Sequence, residues 1–197
     1  MRELVYYVAV SVDGYIADPV GGFDAFLVEG DHAQVVFGEY ADALPAHVHA
    51  ALGTGPSGTR FDTVMMGWNT LTPALEAGIS SPYPHLRQIV ASRHPRPVDP
   101  ALTLTDDPLA TVRSLKQEAG LSIWLCGGGQ LAGSLLPEID RLVLKRNPFV
   151  FGSGIPLFGD APFAHRAFTL ASIRPYDSGV VIEEYVRAVP SPPATRL

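Results

Sequence analysis

The sequence predicts an α/β domain with a mixed, mainly parallel central sheet, flanking helices and a C-terminal antiparallel hairpin. Three observations carry that expectation. Between residues 60 and 137, short apolar runs alternate with segments that have helix start and stop signals, the pattern of parallel βαβ units. Gly127, Gly128 and Gly129 stand consecutively between a run that reads as a strand and one that reads as a helix. Near the C-terminus, two β-rich segments flank Asp177-Ser178-Gly179, a hairpin turn.

The elements follow in chain order. "ELVYYVAVSV" is rich in β-branched and aromatic residues and reads as a buried first strand, stopped by Asp13-Gly14. "ADPVGGFDAF" reads as a loop, and "DHAQVVFGEYADALPAHVHAAL" as two helical pieces divided near Pro45. "GTGPSGTR" has the composition of a surface loop. "RFDTVMMG" is a strand ending at Gly67. In the helix after it, Asn69 or Thr70 caps, Pro73 falls in the first turn and Gly78 ends it. "RQIVASR" is a strand stopped by "HPRP". In "TDDPLATVRSLKQEAG", Asp107 caps, Pro108 takes the first helical position, and Leu109, Val112 and Leu115 share a face. "LSIWL" is the next strand and "GQLAGSLL" the next helix, halted by Pro137. "RLVLKRNPFVF" reads as a strand, "GSGIPLFGDAPF" as a loop, and the hairpin closes residues 1–189 as one domain. Residues 190–197 read as a disordered tail.

Composition excludes several functions. A net charge of −6 argues against a nucleic-acid or anionic-membrane partner, because both need a basic face. No apolar run reaches the ~18 residues a membrane helix needs, and Glu3 stands where a signal peptide would be positive. The lone Cys126 excludes an internal disulfide and fits a reducing, cytoplasmic setting. His47 and His49 would point apart on a helix, so no metal site is expected, and each reads as solvated or capping. No G-x-S-x-G elbow surrounds any serine. Trp124 reads as core and Cys126 as inert packing.

The glycines point to an anion. After a parallel strand they let backbone approach a ligand, and the following helix presents unpaired N–H groups. Gly127 to Ala132 matches G-x-G-x-x-A, yet it comes late in the chain and lacks the acidic residue expected ~20 positions on, which argues against a Rossmann domain. Two other strand ends agree with an anion site. Gly67 precedes Trp68, Asn69 and Thr70, and the side chains and amides of Asn69 and Thr70 suit a second phosphate oxygen. Ser92 and Arg93 suit a phosphate monoester.

Together "SVDGYIA", "DTVMMGWNT", "VASR", "LCGGGQLAGSLLP", "LVLKRNPFVFGSGIPLF" and "SGVVIEEYVRA" resemble the dihydrofolate-reductase-like superfamily. Within it they resemble the C-terminal, RibD-type reductase domain of the riboflavin-biosynthesis deaminase-reductase and its stand-alone relatives. The resemblance implies an NADPH-dependent reductase, with NADH as the other possible donor, that passes a hydride to a small heterocyclic substrate. It also implies a sheet of about eight strands and a homodimer. By the same resemblance, Gly127, Gly128, Gly129, Gln130 and Leu131 face the pyrophosphate, assisted by Gly67, Trp68, Asn69 and Thr70. Ser92 and Arg93 lie near the adenosine 2′-phosphate, Ala9 and the loop from Asp13 to Ala17 border the nicotinamide, and Tyr15, Asp24 and Gly154 lie on the substrate side.

Three departures bear on the substrate. Gly67-Trp68 replaces the Gly-Arg of many relatives and removes a cation that favours the 2′-phosphate. Asp13-Gly14-Tyr15 replaces Asp-Gly-Lys, and Cys126 replaces an acid. Asp13 is a catalytic candidate from its motif. Glu39 is another, from its place where folate reductases keep a pterin-holding carboxylate, although the local pattern of both Glu39 and Asp42 reads as a solvated helix face. The alternative readings are a non-catalytic nucleotide or small-molecule binding protein, and a structural dimer module, on the same fold.

Overall fold

The computed structural model describes residues 1–188, so the 190–197 tail lies outside the described residues. The chain opens with β1 (Leu4–Val10) and β2 (Tyr15–Ala17), then α1 (Ala33–Gly38), a 3-10 turn (Ala41–Ala43) and α2 (Ala46–Leu52). Next come β3 (Phe61–Gly67), α3 (Trp68–Glu76), β4 (Arg87–Ala91), β5 (Leu102–Thr105), α4 (Pro108–Gln117), β6 (Ser122–Gly127) and α5 (Gly129–Leu135). β7 (Arg141–Arg146), β8 (Ile155–Pro156), β9 (Phe168–Pro175) and β10 (Val181–Arg187) complete it.

Eight strands form one sheet in the order β5-β4-β3-β6-β1-β7-β10-β9. The first six run parallel, and the β9–β10 hairpin adds antiparallel to β7, as the sequence predicts. β2 and β8 form a separate antiparallel pair. Both faces of β1 are buried, which is why its apolar residues run on rather than alternate. Leu4, Tyr6 and Val10 face α4 and α5, packing with Val112, Leu115, Leu131 and Leu135. Val5 faces the other way, toward Tyr40, Ala43, Leu71 and Trp124. The α3 crossover leaves β3 on one face of the sheet, and the α4 and α5 crossovers lie on the other. That divergence opens a crevice at the carboxyl ends of β3 and β6.

Local punctuation holds in part. Asp107 caps α4 by accepting from the Ala110 amide at 2.9 Å, with Pro108 at the first position. Trp124 is core, 5% exposed. In α3, however, Gly67 is the cap residue and the helix starts at Trp68, so Asn69 and Thr70 lie inside the first turn without capping. Pro73 is therefore an interior residue that removes one helical hydrogen bond. The "RLVLKRNPFVF" strand ends at Arg146.

Candidate functional site

Two helices begin at the β3/β6 crevice. Gly67 ends β3 and caps α3; Gly128 follows β6 and caps α5. Neither helix has a side-chain cap. Their first N–H groups are therefore open to an anion, and each helix adds a partial positive charge. Seven residues are too few for α5 to persist alone; buried Leu131, Ala132 and Leu135 fix it, each leucine contributing roughly 1.5–3 kcal/mol. Core packing thus aims the amides.

The three glycines do different things. Gly127 has φ +131°, which only glycine adopts without strain. The peptide joining it to Gly128 is cis. Gly128 has an ordinary extended backbone, and a Cβ there would stand 3.6 Å from Thr70 Oγ1, in the crevice itself. A Cβ on Gly67 would begin 3.7 Å from the Gly127 carbonyl and the Gly128 amide. At Gly129 a Cβ would run into the Pro156 carbonyl oxygen and Gly159, so this glycine serves packing of α5 on the 156–159 loop. The cradle that Gly67, Gly128 and Thr70 leave open is walled by backbone amides, the donor set that an anionic group needs.

The remaining predicted residues divide. Leu131 is 8% exposed in the core, leaving only its amide for a ligand, and the Gln130 side chain donates to Asp160. Asn69 is exposed and Ala9 lies on β1 beside Lys145 of β7. Ser92 Oγ donates to the His94 carbonyl at 2.8 Å, while Arg93 is exposed. Tyr15 and Gly154 meet at the β2–β8 pair, where Gly154 packs against the Ala17 carbonyl. Asp24 is an exposed loop residue.

Asp13 accepts from Ser11 Oγ at 2.6 Å and from the amides of Phe151 and Gly152 at 3.1 and 2.8 Å. The Ser11 hydroxyl, with those amides, holds its carboxyl below the usual range. An ionised strap between two loops is poorly suited to donate a proton. Glu39 binds Arg174 and Arg60, with Arg174 first in holding its carboxyl low. It sits by the residue preceding β3, about 20 Å along the strand from Gly67.

Two readings of exposure are corrected. Asp42 is fully buried and His49 is 5% exposed, bonded to Thr54 Oγ1 and the Ala41 carbonyl, while His47 is exposed. Burial pushes the Cys126 thiol up to about 12, which keeps it protonated and unreactive near neutrality. A separate cavity of about 470 Å³ opens at the amino edge of the sheet, between Arg60, Arg141 and Glu184. Its arginines face carboxylates (Arg141 with Glu3, Arg60 with Glu39), so it offers an anion no free charge.

Three features escaped the sequence reading. Phe26, Phe149 and Phe151 cluster with ring centroids 5.2–5.6 Å apart, near the end of β1 where the Val12 amide bonds the Phe149 carbonyl. The Arg96 guanidinium lies 4.3 Å over the Trp68 ring. Lys145 is 9% exposed, has no carboxylate partner among the described residues, and donates to the Leu27 carbonyl at 2.7 Å. A lysine inside the apolar run "LVLKR" was the one legible signal. Burial lowers its pKa to about 8, against ~10.4 in the unfolded chain. The unfolded state then binds more protons between those values, so stability rises with pH through that window. Lys145→Met should stabilise the fold by roughly 1–3 kcal/mol at pH 7, with the gain shrinking from about pH 8 and nearly gone by about pH 10. Urea denaturation of both chains at the two pH values checks this. A charge kept at such cost marks a functional-site candidate.

The family model described as the RibD C-terminal domain matches residues 2–182. The chain belongs to the RibD C-terminal domain family. Its relatives include the uncharacterized protein YwjB of Bacillus subtilis, 32% identical over 167 residues, covering 80% of this chain and 83% of that one. YyaP of the same organism is 34% identical over 98 residues, 48% of this chain and 52% of that one. Among solved structures, a putative riboflavin biosynthesis protein from Shewanella sp. PV-4 matches 96% of this RibD C-terminal domain and 100% of its own length. Its TM-score is 0.64 at 22% identity. The Thermotoga maritima diaminohydroxyphosphoribosylaminopyrimidine deaminase/5-amino-6-(5-phosphoribosylamino)uracil reductase matches 95% of this chain and 57% of its own, with a TM-score of 0.63 at 15% identity. At those identities the two structures establish the fold, a mainly parallel sheet of the dihydrofolate-reductase-like kind. Among the described residues no helix is long and apolar enough to cross a membrane.

Proposed function

We propose that this RibD C-terminal domain is an NADPH-dependent reductase that passes a hydride to a small, planar heterocyclic substrate, working as a cytoplasmic homodimer. The observation that carries the reading is the pair of uncapped helix starts at one crevice, walled by glycines. Bound there, the nicotinamide would supply the hydride. The chain's own part is to bind and align. The first amides of α3 and α5 take the pyrophosphate, with Thr70 beside them. Ala9 and the Ser11–Ala17 segment, held by Asp13, border the reacting ring. The Phe26, Phe149 and Phe151 cluster supports a flat acceptor and excludes water. With Asp13 and Glu39 both engaged as ionised partners, the proton reaches the product from water or from another group.

The engaged Asp13 also favours a second reading, nucleotide binding without turnover. Titration with NADPH and NADH, followed by tryptophan fluorescence and by heat, tests the cofactor site. Micromolar NADPH binding is expected, and no binding of either at millimolar concentration would overturn both readings. A screen of heterocyclic acceptors for NADPH oxidation then separates the reductase from the binder.

A further inference from the structure

Trp68 brings no charge of its own to the start of α3, and the Arg96 guanidinium lies over its ring. The strand order β4-β3-β6-β1 lays the crevice out as a line. The glycine cradle lies over β3 and β6, and Ala9 ends the line on β1. At ~4.8 Å per strand, β4 lies about 14 Å from β1, on the far side of the cradle. A dinucleotide with its pyrophosphate on the glycines and its nicotinamide at Ala9 therefore puts its adenosine ribose at the carboxyl end of β4. Arg96 is carried by the loop that leaves that end.

We propose that Arg96, laid on the indole of Trp68, is the residue by which this chain selects NADPH over NADH, binding the phosphate monoester on the adenosine ribose. The inference rests on the cofactor reading above. Trp68 is the first residue of α3, directly after Gly67, and its partly buried ring packs against the core cluster that holds Leu71 and Val90. The guanidinium stacks 4.3 Å over that ring. Its N–H donors have no hydrogen-bond partner among the described residues, which leaves the guanidinium fork free to take a phosphate bidentately. Several other arginines are spent on carboxylates, as Arg113 is on Glu138 and Arg146 on Glu183. Arg96 has no ion pair among the described residues. Its neighbours Pro95 and Pro97 restrict the backbone on both sides, which lowers the entropy lost on binding. Ser92 spends its hydroxyl on the His94 carbonyl, and Arg93 has neither a stack nor a partner among the described residues.

Dissociation constants for NADPH and NADH, measured on the intact chain and on Arg96→Gln, Trp68→Ala and Arg93→Ala, decide it. The intact chain should prefer NADPH by at least tenfold. Arg96→Gln should weaken NADPH roughly tenfold to a hundredfold while leaving NADH unchanged, the effect of losing charge-assisted bonds to one phosphate. Trp68→Ala should lose part of the preference, and Arg93→Ala should keep most of it. An unchanged NADPH-to-NADH ratio in Arg96→Gln overturns the assignment while the cofactor site stands, as does loss of the ratio in Arg93→Ala alone. No binding of either nucleotide by the intact chain would fail the cofactor reading and this proposal together.

Discussion

Replacing Asp42 with alanine should destabilise the fold by roughly 3–5 kcal/mol, the largest stability effect expected of any single polar side chain here. Its carboxylate is fully buried. It accepts from Ser57 Oγ at 2.9 Å and from the amides of Gly58, Thr59, Arg60 and Phe61 at 2.6–3.1 Å. Those donors belong to the segment that enters β3, so one side chain fixes the approach of the strand that ends in Gly67. Removing it leaves buried amides without partners. Burial by itself would raise the Asp42 pKa, but the amides of Arg60, Phe61 and Gly58 outweigh it and hold the carboxyl low. A folded pKa below the unfolded ~3.9 means the stabilisation is fully present above about pH 4. It is lost as pH falls through the folded value. Urea denaturation should therefore show the gap between the two chains narrowing below pH 4. A gap that stays constant into acid, or one under 1 kcal/mol at pH 7, would refute the account. Asp42→Asn, which keeps the shape and one acceptor, provides a milder variant if the alanine chain does not fold.

The sequence shows much of the fold because its punctuation is local. Asp107-Pro108, Gly67 and the 127–129 run each mark a boundary within a few residues of the element they end or begin. What it hides depends on distant partners. β5 is four residues of "LTLT" at the sheet edge, and β2 and β8 are three and two residues that pair only once the loops between them are placed. Glu39 and Asp42 look alike in sequence, yet the donors that bury Asp42 lie 15–19 residues later in "GTGPSGTRF", a stretch whose composition reads as free loop. Glu39 meets only arginine side chains and stays exposed to water. Trp68 reads as a lost cation because Arg96 returns to it across the β3–β4 edge, which no local pattern records.

Gly128→Val should abolish NADPH binding, weakening it by at least a hundredfold, while leaving the fold intact. The backbone at Gly128 has φ −82° and ψ −170°, a conformation valine adopts freely. Its Cβ would meet only Thr70 Oγ1, at an ordinary 3.6 Å, so the first side-chain carbon is accommodated without a clash. The methyls would occupy the space between the starts of α3 and α5 where a phosphate must approach the amides. Its neighbours should fail differently. Gly127→Ala forces a side chain onto φ +131° and should destabilise by roughly 1–3 kcal/mol before any ligand is considered. Gly129→Ala drives a Cβ into the Pro156 carbonyl and should displace the 156–159 loop. Thermal melts and nucleotide titrations on the three variants separate strain, ligand space and packing. If Gly128→Val melts normally and still binds NADPH like the parent chain, the crevice is only a turn between strand and helix, and the cofactor lies elsewhere.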